Sequence, residues 1–293
     1  MTATAPIRLI AMDLDGTLLA PHRPGERARI SEGCLRALWA AHERGITLCL
    51  ASGRLPDDAA HFAMAAGLPM RVLALNGACA LDEPRGELLS GRTVSPAAAH
   101  RLWELACACP ADCGLFGGHE LVLSTPIRPD NALWRWGSYL DAPDGRSAIR
   151  VGREAGEALC EKGVHKLVAI SPDRPDVLET LTRQILRELP ELKVSTSWRD
   201  NIEVDLRDVD KGTALRDLAA RLRIPMEQVM AIGDNGNDLP MLRAVGWSVA
   251  MGNATDEVKA CCGWHTLSDA EDGVAAAIWT LALGRPVPGV TAR

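Results

Sequence analysis

The stretch AMDLDGTL, residues 11–18, ends an apolar run that begins at Ile7. Such a run predicts a buried strand, and the glycine after it predicts a turn. Asp13 and Asp15 are two positions apart, so in an extended backbone their carboxylates point the same way and repel each other. A strand that ends in two repelling carboxylates indicates that this end of the strand carries chemistry.

Further apolar runs recur along the chain, and each precedes a segment with helical periodicity. These runs are Ile46–Ala51, Val72–Leu75, Val229–Ile232 and Ser248–Met251. The alternation predicts βα units and a parallel sheet. Ser31–Arg44 and Lys211–Arg223 carry apolar stripes typical of helices, and Ser31 is the predicted N-cap of the first.

The middle of the chain has a different pattern, with loop-like breaks such as Asp82–Gly91. Short strands alternate there with helices, namely Leu121–Leu123 and Lys166–Ile170 with Pro96–Cys107 and Asp176–Leu189. We therefore predict an α/β fold with a Rossmann-like parallel-sheet core in residues 1–82 and 192–293. Residues 83–191 are predicted to form an inserted α+β domain.

Composition limits the possible partners. The chain has 293 residues, of which 47% are hydrophobic, and a net charge of -6, which argues against nucleic acid and anionic membranes as partners. No apolar stretch approaches the roughly 20 residues that span a bilayer, and we expect a cytoplasmic protein. The nine cysteines are predicted to be reduced, because their number is odd and a chain of this length needs no disulfide framework. The spacing of Cys107, Cys109 and Cys113 matches no paired zinc motif, which argues against a metal there.

Polar residues terminate the predicted strands. They are Asp13 and Asp15, Ser52, Asn76, and Asp234 with Asn237 and Asp238, and Lys211 begins a predicted helix. Each has a structural alternative: Asp15-Gly16 is typical of a hairpin turn, Ser52-Gly53 of a plain turn, and Lys211 of an exposed helix start. Together they indicate a site for phosphate or metal, because parallel strands deliver their ligand-binding residues at one edge.

Four ordered motifs resemble those of the haloacid dehalogenase superfamily. They are DLDGTL at 13–18, ASGR at 51–54, Lys211-Gly212-Thr213, and GDNGND at 233–238. The insertion between Ser52 and Lys211 resembles the Cof-like branch with a type IIB cap. The second acid, Asp15, is similar to that of the superfamily's phosphatases and phosphomutases, whereas its dehalogenases need only the first acid.

The resemblance implies a Mg²⁺ site and a role for each acid. Mg²⁺ would be held by the side chains of Asp13 and Asp234 and by the main-chain carbonyl of Asp15, with Asp238 acting through water. Asp13 would be the nucleophile that forms an aspartyl-phosphate. Asp15 would protonate the leaving group and then accept a proton from water.

The resemblance also implies the phosphate-binding residues. Ser52 and Lys211 would hold phosphoryl oxygens, and Gly53 would let backbone N–H groups approach. Asn237 would contact phosphate or a metal-bound water, or would only cap the following helix. Arg54 would touch substrate or pair with a surface acid.

The expected activity is that of a Mg²⁺-dependent phosphatase acting on a small phosphorylated metabolite, such as a sugar phosphate or a phosphorylated cofactor. Candidates for recognising its leaving group are Trp134, Arg135, Trp136, His119 and Trp198, for each of which packing or surface exposure is the alternative. Two other functions stay open, a phosphosugar mutase or phosphotransferase and a catalytically silent sugar-phosphate-binding protein. No nucleic acid or membrane partner is expected.

Overall fold

The structure is a computed structural model that describes residues 6–21, 28–82, 88–126, 148–196 and 200–293. Among these residues, no helix is both long and apolar enough to cross a membrane. The chain divides into two compact units. The described residues of the first fall within 1–54, 59–89 and 210–293, and those of the second within 55–58 and 90–209.

A nine-stranded sheet forms the centre of the first unit. Its strands are β1 (Leu9–Met12), β2 (Thr47–Ala51), β3 (Arg71–Ala74), β4 (Cys79–Leu81), β5 (Leu88–Gly91), β12 (Val229–Gly233), β13 (Trp247–Ala250), β14 (Trp264–His265) and β15 (Thr291–Ala292). Their order is β15-β14-β13-β12-β1-β2-β3-β4-β5. The parallel-sheet core is thus confirmed, and part of the predicted Asp82–Gly91 loop is the strand β5.

Strand β1 is the central strand of this sheet. It pairs in parallel with β12 on one side and β2 on the other. All four of its residues are completely buried, which explains why the sequence there is continuously apolar rather than alternating. The chain runs outward from β1 through β2 and β3, and from β12 through β13 and β14 on the other side, so the carboxyl ends of β1 and β12 form a topological switch point.

Helices connect these strands. They are α1 (Glu32–Glu43), α2 (Pro56–Ala66), α6 (Lys211–Arg221), α7 (Leu239–Leu242), α8 (Asp256–Cys261) and α9 (Gly273–Ala277). The predicted cap of α1 is confirmed, because the Ser31 side chain accepts a hydrogen bond from the Cys34 N–H. Leu38 and Ala41 of α1 are completely buried.

The second unit contains a six-stranded sheet in the order β10-β11-β9-β6-β7-β8. The strands are β6 (Asp112–Gly117), β7 (Glu120–Leu123), β8 (Ala148–Val151), β9 (Lys166–Ile170), β10 (Leu192–Ser195) and β11 (Asn201–Leu206), with helices α3 (Pro96–Ala108), α4 (Arg153–Lys162) and α5 (Pro175–Glu188). All pairings are antiparallel except that of β7 with β8. The helices and one face of the sheet share a hydrophobic core that includes Trp103, Leu115 and Leu167.

The observed division differs from the predicted one at both boundaries. Residues 88 and 89 lie in the first unit rather than in the insertion, and residues 55–58 lie in the second. The prediction assigns residues 192–209 to the second segment of the core, whereas they lie in the second unit. The reason is the pairing of β11 with β9 and of β10 with β11, which makes both strands part of the six-stranded sheet.

Candidate active site

Asp13 and Asp15 lie in the tight turn that follows β1. The Asp13 N–H donates to the Ile232 carbonyl at 3.1 Å, which ties the turn to β12. Asp15 (φ -79°, ψ 121°) and Gly16 (φ 76°, ψ 3°) have the angles of a type II turn rather than of a hairpin's type I′ turn. Glycine is required at position 16, since a Cβ there would lie 2.6 Å from Oδ2 of Asp234.

The Lys211 ammonium joins two of the predicted acids. Its Nζ donates to Oδ1 of Asp13 at 2.8 Å and to Oδ1 of Asp238 at 2.7 Å, and its side chain is 0% exposed. An ammonium has three N–H donors, so one remains without a partner among the described residues. The alternative of an exposed helix start is therefore wrong for Lys211.

The start of α6 fixes the position of this lysine. Asp210 accepts a hydrogen bond from the Thr213 N–H at 2.7 Å, and the Thr213 hydroxyl accepts one from the Asp210 N–H at 3.0 Å, which together form a capping box. A cation in the first helical turn is unfavourable in the field of the helix dipole. The carboxylates of Asp13 and Asp238 offset that cost.

The loop after β12 holds the other two acids. Oδ2 of Asp238 accepts hydrogen bonds from the backbone N–H groups of Asp234 at 3.0 Å and Asn235 at 3.1 Å. Oδ1 of Asp234 accepts one from the Thr17 hydroxyl at 2.9 Å. Asp238 thus fixes the loop and Lys211 at once, while Asp234 is held against the turn that carries Asp13.

Negative charge exceeds positive charge in this cluster. Burial raises the pKa of Asp13 well above its usual range, and the neighbouring carboxylates of Asp238 and Asp234 raise it further against the opposing effect of Lys211. Burial and Asp238 likewise raise the pKa of Asp234 to about 7. For Lys211, burial lowers the pKa, but Asp13 and Asp238 outweigh it and raise the pKa overall.

The same acids form a set that suits a metal ion. One carboxylate oxygen from each of Asp13, Asp234 and Asp238 lies within 4.8 Å of the other two. Carboxylate oxygens are the ligands that Mg²⁺ prefers, and a dication would relieve the surplus negative charge. The residues present therefore fit a hard divalent cation.

Ser52 and Arg54 lie at the end of β2, beside this cluster in the sheet order. The Ser52 side chain is buried, and its Oγ accepts a hydrogen bond from the Arg54 N–H at 3.2 Å, with Gly53 between them. The Arg54 guanidinium binds both carboxylate oxygens of Asp15, through Nε at 2.7 Å and through its terminal nitrogen at 2.6 Å. Of the two alternatives for Arg54, pairing with an acid is observed, and that acid is the predicted proton donor.

Asn76 and Asn237 approach each other from the ends of β3 and β12. The Asn237 amide donates to Oδ1 of Asn76 at 3.5 Å, a long contact. Capping of the short helical turn at Gly236–Asp238 falls to Asn235, whose side chain accepts from the Gly236 N–H at 2.7 Å. Leu75 and Asn76 have positive φ values of 49° and 55°, a left-handed conformation that non-glycine residues adopt only at an energetic cost.

Two contacts at the site have no counterpart in the sequence-based prediction. One is the hydroxyl of Thr17 on Asp234. The other is Asn253, whose side-chain amide donates to the Gly16 carbonyl at 2.8 Å and whose Oδ1 accepts from the Asp269 N–H at 3.0 Å. Thr17 stands inside the first motif and Asn253 outside all four, and nothing in the sequence reveals the partner of either residue.

The candidates for leaving-group recognition are only partly described. His119 is half-exposed in the second unit, and its Nδ1 lies 2.6 Å from Oδ2 of Asp57. Trp134, Arg135, Trp136 and Trp198 lie outside the described residues.

Comparison with known proteins supports the chemistry that this geometry indicates. A family model described as haloacid dehalogenase-like hydrolase matches residues 10–278. A pyridoxal phosphate phosphatase of Escherichia coli is 30% identical over 86% of this chain and 90% of its own length. A 5-amino-6-(5-phospho-D-ribitylamino)uracil phosphatase of Bacillus subtilis is 28% identical over 94% of this chain and 96% of its own.

Solved structures show the same fold. A haloacid dehalogenase-like hydrolase from Bacteroides thetaiotaomicron superposes with a TM-score of 0.79 and is 27% identical, covering 94% of this chain and 99% of its own.

Proposed function

The chain belongs to the haloacid dehalogenase-like hydrolase family, and from this membership we propose that it hydrolyses the phosphomonoester of a small metabolite through an aspartyl-phosphate on Asp13. The observation that supports this most directly is the Lys211 ammonium, buried between Asp13 and Asp238 at the carboxyl edge of the sheet. A buried carboxylate with a fixed cation beside it is suited to attack a phosphoryl group, whose own negative charge the cation offsets.

Mg²⁺ is the metal that we propose for the acidic cluster. The Asp13 and Asp234 side chains would hold it together with the main-chain carbonyl of Asp15, and when bound it supplies positive charge beside the phosphoryl oxygens. Both carboxylate oxygens of Asp238 already accept hydrogen bonds from Lys211 and from the loop. We therefore propose that Asp238 orients Lys211 and the Asp234 loop and reaches the metal only through water.

Asp13 is the proposed nucleophile. Its Oδ1 is bound by Lys211, and its Oδ2 accepts no hydrogen bond from the described residues, so Oδ2 is the oxygen available for attack. As the Asp13–phosphorus bond forms, the bond from phosphorus to the leaving oxygen breaks. Water then attacks the phosphorus and releases phosphate, which returns the Asp13 carboxylate.

Asp15 is the proposed proton carrier for both steps. It is half-exposed, unlike Asp13, and would give its proton to the leaving alkoxide and later take one from the attacking water. Arg54 binds both of its oxygens and fixes the direction in which the carboxyl group points. For proton transfer, one of these hydrogen bonds must give way to the leaving oxygen.

Phosphate binding is assigned to groups around the nucleophile. The third N–H of Lys211, the Ser52 hydroxyl and the backbone at Gly53 would contact the non-bridging oxygens. Because the Ser52 Oγ accepts from the Arg54 N–H, its own proton is free to be donated. Asn237 would contribute its amide when the long contact with Asn76 is exchanged for phosphate.

Hydrolysis of p-nitrophenyl phosphate by the wild type and by Asp13→Asn, with Mg²⁺ or with EDTA, tests the proposal. We expect turnover in the wild type with Mg²⁺ only, and a loss of about a thousandfold or more in Asp13→Asn, because the nucleophile is removed. Asp217→Asn is the matched control, since Asp217 is exposed on α6. Wild-type turnover that is unchanged by EDTA would contradict the mechanism. So would an Asp13→Asn variant that turns over as fast as the wild type.

A panel of substrates would then define the class. Pyridoxal phosphate and a phosphorylated ribityl compound are included because two relatives are named as phosphatases of such compounds. Sugar phosphates complete the panel. Release of inorganic phosphate in step with loss of substrate supports a hydrolase. An isomeric sugar phosphate without free phosphate would instead show a mutase, and binding without any product would show a silent sensor.

A further inference from the structure

The loop that follows β13 contacts both segments that carry the proposed metal ligands. On one side, the Thr255 N–H donates to the Asp234 carbonyl at 3.0 Å. On the other side, the Asn253 amide donates to the Gly16 carbonyl at 2.8 Å. This one loop therefore joins the turn after β1 to the loop after β12, and all three segments lie in the first unit.

Asn253 uses both ends of its side chain. Its Nδ2 donates to the Gly16 carbonyl, and its Oδ1 accepts from the Asp269 N–H at 3.0 Å. Because a carbonyl can only accept and an N–H can only donate, these two partners fix the direction in which the carboxamide faces. Its partners lie 237 and 16 positions away in the sequence, so these contacts are tertiary. The contact of Asn235 with the adjacent Gly236 N–H is, by comparison, a local turn contact.

The backbone that carries Asn253 is anchored beyond the end of β14. The Gly252 N–H donates to the Leu267 carbonyl at 2.9 Å. A Cβ at position 252 would lie 2.7 Å from the Ser268 nitrogen, so glycine is needed for this close approach. Asn253 therefore extends from a fixed backbone, and its hydrogen bond restrains the position of Gly16.

The restraint on Gly16 bears on the Asp15 carbonyl, a proposed metal ligand. The two peptide planes that contain the Asp15 and Gly16 carbonyls meet at the Gly16 Cα, so the dihedral angles of Gly16 set their relative direction. Glycine restrains its own backbone less than any other residue, and Gly16 has a positive φ of 76°. A hydrogen bond to its carbonyl from outside the turn therefore limits the directions that the Asp15 carbonyl can take.

We propose that Asn253 is a positioning residue of the Mg²⁺ site, which holds the Asp15 carbonyl in the position relative to Asp234 that the metal requires. Mg²⁺ demands a nearly ideal octahedral arrangement of oxygen ligands, so a small displacement of one ligand segment weakens its binding. Asn253 acts through Gly16 and does not itself contact the metal. The inference rests on the proposed function, from which it takes the metal site.

Contact with the substrate is the competing role for Asn253, because the residue is exposed. Its Oδ1 and one N–H of its amide are already bound to the protein on two sides. A side chain used in this way is suited to holding two segments together. The two roles make different predictions for Mg²⁺ affinity and for KM.

The test is a Mg²⁺ titration followed by Tm, at pH 8 and without substrate, in the full-length protein. We expect Asn253→Ala to raise the Mg²⁺ Kd about tenfold, as is typical when a group that orients a metal ligand is removed. Trp39→Phe is the matched control and should leave Kd unchanged. The Trp39 Nε1 likewise donates to a distant main-chain carbonyl, that of Ala66 at 3.2 Å, but it joins α1 to the end of α2.

Equal Mg²⁺ Kd values in the wild type and in Asn253→Ala would overturn the proposal, whatever the change in the Tm of the metal-free protein. A wild type that gains no stability from Mg²⁺ would overturn the metal site and this inference together. These measurements involve no turnover. A wild type that binds Mg²⁺ but hydrolyses no substrate would therefore refute the proposed function alone.

Kinetics separate positioning from substrate contact. At saturating Mg²⁺, the KM of Asn253→Ala for p-nitrophenyl phosphate should stay within about twofold of the wild-type value, because the substrate contacts are intact. A KM that rises about tenfold at saturating Mg²⁺, together with an unchanged Mg²⁺ Kd, would assign Asn253 to the substrate and overturn the proposal.

Discussion

Lys211 and Lys166 are both almost fully buried and both bind carboxylates, yet their surroundings differ. Lys166 on β9 binds Glu203 on the neighbouring strand β11 at 2.6 Å, inside an antiparallel sheet. Lys211 binds Asp13 and Asp238, and a third acid, Asp234, completes the cluster. The first joins two neighbouring strands of one sheet, whereas the second joins acids from the two loops that follow β1 and β12.

This difference separates a structural ion pair from a site built to bind something. A buried pair offsets its own desolvation only when the charges match and are well hydrogen-bonded. A surplus of buried negative charge is costly unless a ligand completes it, and such surpluses cluster at functional sites. The cluster also lies where parallel strands end, whereas Lys166 lies within a strand.

Substitution of each lysine by methionine should give the largest difference between the two sites. Lys211→Met should lower kcat/KM for p-nitrophenyl phosphate by about a thousandfold, because a placed charge at the reacting group is lost. Lys166→Met should leave kcat/KM within a few-fold and instead cost about 3 to 5 kcal/mol of unfolding free energy, because the buried Glu203 carboxylate loses its salt bridge with Lys166.

The control for the second lysine is the double variant Lys166→Met with Glu203→Leu, which should recover most of the lost stability. Denaturant unfolding and steady-state kinetics on the same preparations separate the two effects. The distinction fails if folded Lys166→Met loses as much turnover as Lys211→Met.

Mg²⁺ binding sharpens the comparison through its pH dependence. Because the pKa of Asp234 is raised to about 7 in the folded protein, its protonated form stabilises the metal-free fold below about pH 4, and this contribution is lost as the pH rises through 7. Mg²⁺ should therefore raise Tm more at pH 8 than at pH 5.5. At pH 8, a Mg²⁺ concentration one hundred times Kd should add about 2.7 kcal/mol to the free energy of unfolding.

Thermal scans with Mg²⁺ or EDTA at the two pH values measure this. Asp234→Asn should abolish the shift, whereas Glu203→Gln, at the matched pair, should leave it unchanged. A shift of equal size at both pH values would argue against proton competition at the cluster.

The Arg54–Asp15 pair predicts an effect that depends on the leaving group. Arg54→Lys keeps the charge but loses the bidentate geometry, so Asp15 is oriented less well. The kcat for an alkyl phosphate should fall about tenfold, because its leaving oxygen needs a proton. For p-nitrophenyl phosphate, whose phenolate leaves unprotonated, kcat should change little.

Kinetics with both substrates measure this ratio. An equal loss on the two substrates would show that Arg54 acts on the phosphoryl group rather than through Asp15.

The smallest expected effect is at Thr17. Thr17→Val removes the hydrogen bond to Asp234 without a change in shape, so about 1 kcal/mol, or severalfold, should be lost in apparent Mg²⁺ affinity. Mg²⁺ titration of activity measures it, with Thr180→Val, at an exposed threonine of α5, as a hydroxyl control. A Thr17→Val enzyme with unchanged Mg²⁺ affinity would mean that the bond does not orient Asp234.

The parallel core could be predicted because the patterns that define its strands and helices lie within short stretches of the sequence. Strand β1 is buried on both faces, so its sequence is continuously apolar, and Ser31 caps α1 through an atom three residues away. The strand ends then bring Asp13, Ser52 and Asp234 to one edge without any further information. Their catalytic roles stay predictions that the measurements above decide.

The remainder depends on contacts between distant parts of the chain. Strand β11 alternates polar with apolar residues, which is typical of a strand with one face in water, yet Glu203 is buried by its tertiary surroundings and bound to Lys166. The Arg54–Asp15 and Thr17–Asp234 contacts join residues that no local pattern relates. The pairing that places β10 and β11 in the six-stranded sheet also joins distant residues, so the predicted domain boundary stood before β10 instead of after β11.

Trapping the phosphoenzyme tests the central claim most directly. Wild-type protein is mixed with phosphorus-labelled substrate and Mg²⁺, quenched in acid within a turnover, digested and mapped. Our account predicts an acid-stable label that hydroxylamine removes, on the peptide containing Asp13, and no such label in Asp13→Asn. Turnover with the label on another residue would contradict it. Turnover without any label would also contradict it, once kinetics show that hydrolysis of a phosphoenzyme is not faster than its formation.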